Sequence, residues 1–101
     1  MISKIVKIQN PDGMHIKPAN EFVKLAQKFK SKIYLSKDGN KVEGKSLLSV
    51  LALAAGEGNE LEIIAEGIDE KKAVETLANL IINHFTNKEK KNETNKLKPN
   101  D

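Results

Sequence analysis

The chain has 101 residues, enough for one domain around one core, and its 39% apolar and 31% charged residues give the balance of a globular fold. It contains no cysteine, which excludes disulfides, thiolate metal centres and thiol catalysis, and its two histidines, His15 and His84, are too few for a multi-histidine metal site. The formal charge is +3 and all 17 basic residues are lysine; base-reading proteins lean on arginine forks, so the excess reads as a solvated lysine-rich surface.

The opening segment MISKIVKIQN has no apolar run of signal-peptide length, and no later segment reaches the roughly 18 apolar residues of a membrane span. A cytoplasmic location without membrane insertion is therefore expected. Within it Ile2, Val6 and Ile8 fall on one face and Ser3 and Lys7 on the other, the alternation of a half-buried strand. Asn10-Pro11-Asp12-Gly13 stops that strand. From Ile16 to Phe29, the residues Ala19, Phe22, Val23, Ala26 and Phe29 recur every three or four positions, which predicts a helix with one core-facing stripe. Pro18 fits its first turn, where a missing amide costs little.

Residues 32–43 read as two strands joined by Asp38-Gly39, a pair that tolerates the backbone of a tight hairpin. A short helix is predicted from Ser46, its cap, to Ala54. Gly56 and Gly58 turn the chain into a strand from Leu61 to Glu66, with Leu61, Ile63 and Ala65 inward. A last helix is predicted from Asp69, read as its N-cap, to Phe85. The order predicts an α+β fold: an open-faced βαββαβα sandwich whose four-stranded, mostly antiparallel sheet carries three helices on one face. The domain should span 1–85. Residues 86–101, lysine-rich with Leu97 as their one aliphatic residue, read as a disordered tail.

One residue stands where chemistry is possible. His15 lies between the turn and the start of the first helix, where exposed amides and the helix dipole favour an anion by roughly 0.3–1 kcal/mol. A neutral imidazole nitrogen there can accept a phosphoryl group, with the amides of residues 16 and 17 and the Lys17 ammonium holding the added charge. No serine-histidine-acid set and no phosphate-binding P-loop accompanies it, so a self-contained enzyme is not expected. On position alone, the plainer reading of His15 is an ordinary cap or turn residue.

The segment NPDGMHIKPANEFV, residues 10–23, resembles the active-site signature of the HPr family, the histidine-containing phosphocarriers of the bacterial sugar phosphotransferase system. A second segment, GKSLLSVLAL at 44–53, resembles that family's regulatory serine, here Ser46, and the short helix after it. The resemblance covers residues 1 to about 85 in length and element order. It implies that Enzyme I, charged from phosphoenolpyruvate, phosphorylates His15 on Nδ1, and that the group passes to IIA domains of sugar permeases. It implies that Lys17 is the active-site basic residue, and that no cofactor is held and no second subunit is needed. In low-GC Gram-positive relatives it further implies phosphorylation of Ser46 by HPr kinase/phosphorylase and binding to a catabolite-control transcription regulator.

Three departures from the family pattern stand out: Lys17 where most members carry arginine, Asp12 in the turn beside the expected phosphate, and Asn20 at a usually small or apolar position. Lysine keeps the charge but loses the two-pronged fork. Asp12 should repel phosphate unless it points to solvent or caps an amide. Leu47, Leu48 and Leu51 cannot all face the core of so short a helix, so with Ile16 and Asn20 they are expected to supply a docking patch. Two other readings compete with phosphoryl carriage: a regulatory module acting mainly through Ser46, and a basic nucleic-acid binder. The latter lacks aromatic stacking residues, since Tyr34 is the only tyrosine and all three phenylalanines lie in predicted helices.

Overall fold

Alternating side chains make β1, Ile2–Lys7, an edge strand whose Val6 faces the core, while Ile5 is left on the open face. A computed structural model of the protein describes residues 1–84, with the side chain of His84 excepted; Phe85 and the predicted tail 86–101 lie outside the described residues. Ile8, just past β1, is fully buried: its amide donates to the Asn59 carbonyl at 2.9 Å and its carbonyl accepts from Gly58 N–H at 2.8 Å.

The helix α1 runs Ile16–Ala26 and buries Ala19, Phe22, Val23 and Ala26, the predicted stripe, together with Pro18. It ends three residues before the expected Phe29. There Lys28 N–H donates to the Leu25 carbonyl and Phe29 N–H to that of Ala26, so the last turn tightens to three-residue spacing and leaves Phe29 only partly buried. The strands β2, Lys32–Lys37, and β3, Asn40–Glu43, form the predicted hairpin, with Asp38 and Gly39 both at positive φ, 53° and 86°. The short α2, Leu47–Ala52, is capped by Ser46, whose Oγ accepts from Ser49 N–H at 3.3 Å.

The strand β4, Glu60–Glu66, enters between β1 and β2, giving the order β1-β4-β2-β3 with every pairing antiparallel. The helix α3, Glu70–Asn79, follows and closes in a π-helical segment, Leu80–His84. This is the βαββαβα open-faced sandwich that the element order predicts. Its core lies between the inward faces of the strands, with Leu35, Leu61 and Ile63, and the helix stripes, with Phe22, Val50, Leu77 and Ile81, all almost wholly buried. Each such side chain contributes roughly 1.5–3 kcal/mol over an exposed one.

One local expectation is corrected. Asp69 stands at the N-cap of α3, but its side chain makes no cap hydrogen bond to that helix. Its Oδ1 instead accepts from the amide of Ser31 at 2.9 Å and from Ser31 Oγ at 2.5 Å, and its Oδ2 accepts from Lys30 N–H at 2.9 Å. The carboxylate thus ties the start of β2 to the start of α3. Glu70 takes the nearer task, accepting from Gly67 N–H at 3.1 Å and pairing with the N-terminal ammonium.

Candidate functional site

The site is built on an anchored turn. Gly13 N–H donates to the Asn10 carbonyl at 3.1 Å, Asn10 Nδ2 returns a bond to the Gly13 carbonyl at 2.9 Å, and Met14 N–H reaches across to the Ala55 carbonyl at 2.9 Å. Gly13 has φ +66°, and a Cβ there would meet the Ala55 oxygen at 2.6 Å and Gly56 Cα at 2.7 Å. Only glycine fits both the backbone angle and the space. Met14 and Pro18 are buried, so the exposed run His15, Ile16 and Lys17 is pinned to the core at both ends.

His15 is the N-cap residue of α1, with extended backbone, φ −87° and ψ −168°. Its carbonyl accepts the first helical bond, from Ala19 N–H at 2.9 Å. Its side chain makes no cap hydrogen bond and is 46% exposed, so the ring is displayed rather than spent on closing the helix. Pro18 contributes no amide, leaving those of Ile16 and Lys17 ahead of the first helical bond, where the positive end of the helix dipole adds to them. Lys17 is exposed in the same first turn. Asp12 lies beside the ring, its Oδ2 3.6 Å from His15 Nε2. It is 79% exposed.

The remaining predicted residues divide. Ile16 is 58% exposed and Leu48 is 79% exposed, one on each of two helices that pack together, whereas Leu47 and Leu51 lie partly buried against the core. Asn20, half-buried, follows Ile16 by one helical turn and so shares its face. Ser46 is half-buried and stands apart from His15. The His15 turn is bonded to Ala55, beyond the C-terminal end of α2, while Gln27 Nε2 and Lys45 Nζ tie the far end of α1 to the residue before Ser46, at 3.1 Å to the Lys45 carbonyl and 2.7 Å to the Phe29 carbonyl. The two helices therefore run antiparallel, with His15 and Ser46 at opposite ends, separated by at least the length of α2, about 9 Å. Sequence reading missed the ties made by Asn10, Gln27 and Lys45. Among the described residues no cluster of three or more acidic or histidine ligands could hold a metal, and no helix is long and apolar enough to cross a membrane.

A phosphoryl relay needs a nucleophile that two successive partners can both reach, and a ring 46% exposed at a helix start is compatible with that need. The family model described as the PTS HPr component phosphorylation site matches residues 2–83. The chain is 42% identical over 85 residues to phosphocarrier protein HPr of Treponema pallidum, covering 84% of this chain and 97% of that one. The crystal structure of HPr from Thermoanaerobacter tengcongensis superposes with a TM-score of 0.81 at 38% identity, over 85% of this chain and 97% of that one. Crh of Bacillus subtilis, described as a catabolite repression containing protein that forms a domain-swapped dimer, matches with a TM-score of 0.65 at 38% identity over 80% and 93%. The chain belongs to the HPr family, whose members are phosphocarriers of the phosphotransferase system and not enzymes.

Proposed function

We propose that the protein accepts a phosphoryl group from Enzyme I on His15 Nδ1 and passes it to IIA domains of sugar permeases in the cytoplasm, acting as a monomer. The observation that carries this reading is the His15 ring itself, 46% exposed at a helix cap whose amides it leaves uncapped. The neutral ring attacks phosphorus as the bond to the donor breaks. The amides of Ile16 and Lys17 and the Lys17 ammonium take up the charge of the new phosphohistidine. Ile16 and Leu48, with Asn20, Leu47 and Leu51 around them, form the surface on which successive partners dock. Purified protein mixed with Enzyme I and phosphoenolpyruvate is expected to gain one acid-labile phosphate, and His15→Ala none. Equal labelling of the two would reject the reading.

Ser46 supports a second, regulatory role, favoured by the likeness to Crh and by the position of the serine one residue before the half-buried Leu47 and two before the bare Leu48. In this reading HPr kinase/phosphorylase phosphorylates Ser46, the added charge beside Leu48 weakens docking for transfer, and a catabolite-control transcription regulator recognises the modified face. Because Ser46 and His15 occupy opposite ends of the α1–α2 pair, the effect works on docking and not on the imidazole. Incubation with that kinase and ATP is expected to give acid-stable phosphate on the wild type and none on Ser46→Ala.

A further inference from the structure

We propose that Asp12 is a positioning residue for His15: its carboxylate, set against Nε2, keeps the ring's single proton on that nitrogen and leaves the lone pair on Nδ1. The inference rests on the reading of His15 as the phosphoryl acceptor and adds to it the group that selects which nitrogen reacts.

The geometry is a contact of 3.6 Å between Asp12 Oδ2 and His15 Nε2. The backbone that carries both residues is anchored, which keeps the carboxylate within reach of the ring. The turn between the two residues is closed by Asn10 and Gly13 on each other and anchored to Ala55 through Met14. A carboxylate is an acceptor only, so the imidazole nitrogen beside it is favoured in its protonated form, and in a neutral ring the other nitrogen must then be the unprotonated one. Nδ1 is thereby the nucleophile without any base to strip a proton from it.

The same arrangement accounts for an acidic residue at a site that receives a dianionic group. Transfer forms a bond from Nδ1 to phosphorus, the bond from phosphorus to the donor breaks, and its electron pair leaves with the donor. His15 loses no proton, because Nε2 keeps its own, and the ring becomes cationic while phosphorylated. The ring stands between the Asp12 carboxylate and the phosphoryl oxygens, so the two negative groups flank a positive one. Asp12 then stabilises the charged ring instead of opposing the phosphate.

The test reads the tautomer directly. Long-range proton–nitrogen NMR correlations of the neutral imidazole in the free protein report the share of Nε2–H. Asp12→Ala is expected to move the tautomer ratio toward Nδ1–H by roughly twofold to fivefold, the range for an exposed charge pair, with Asp12→Asn between and Asp12→Glu returning toward wild type. An unchanged ratio in Asp12→Ala, with backbone amide spectra intact and normal labelling by Enzyme I, overturns the role of Asp12 alone. A shifted ratio in a chain whose His15 takes no phosphate overturns the acceptor reading on which the proposal stands.

Discussion

At the scale of single residues, the proposed site pairs a nucleophile, His15, with the cation of Lys17. Hydrogen bonds to charged groups contribute roughly 1.5–3 kcal/mol, so Lys17→Ala is expected to slow phosphoryl transfer from Enzyme I by about tenfold to a hundredfold. Lys17→Arg should keep or raise the rate, since its fork grips two oxygens at once. Stopped-flow or quench measurement of transfer checks both, and an alanine variant within twofold of wild type would remove Lys17 from the mechanism. Asp69 acts on stability instead. Bonds donated by Ser31 and Lys30 lower its carboxyl from the ordinary 3.8 to about 2. A group whose folded value is depressed stabilises the fold above its unfolded value and loses that contribution as the pH falls through the folded one. The protein should therefore lose stability between about pH 4 and pH 2, with Glu70, also lowered by Gly67 N–H and the N-terminal ammonium, adding in the same direction. Asp69→Asn should be less stable than wild type near neutrality, and the gap in thermal midpoint should close near pH 2.

Elements were legible where their signals are local. The stripe from Ala19 to Ala26, the Asp38-Gly39 hairpin and the Ser46 cap each depend on neighbours within a few positions, and each stands in the structure as the sequence predicts. His15 stands in one stretch with a turn and a helix start, but the resemblance of residues 10–23 to the HPr signature, more than that position, marks it as the candidate acceptor. What escaped depends on contacts between distant segments. Asp69 reads as a cap because the sequence offers α3 beside it, yet its carboxylate goes to Ser31, 38 positions away. The end of α1 shifts because three-residue bonds replace four-residue ones at Lys28 and Phe29, a choice no spacing announces. The bearing of Asp12 on Nε2 needed the turn's actual path. A test belongs to α2: Leu48, 79% exposed, can be changed to glutamate with stability held within about 0.5 kcal/mol. Loss of an apolar docking anchor should still raise the apparent KM for Enzyme I by roughly fivefold or more. A lowered melting temperature with unchanged KM would place Leu48 in the fold and not in docking.

For the whole molecule, the family match ends at residue 83 and the described helical segment at His84. A chain stopped after residue 85 is expected to keep the thermal midpoint and the His15 labelling of the full chain. A drop in midpoint of several degrees would show that 86–101 pack on the domain. Sedimentation of either form should report a monomer; a dimer would align this chain with the swapped architecture described for Crh.

The exposed ring has one more consequence. On the proposed reading, a phosphoryl group carried on a ring 46% exposed is within reach of water as well as of proteins. The loaded carrier is thus perishable cargo, and its usefulness is governed by how soon it meets a recipient compared with how fast solvent discharges it.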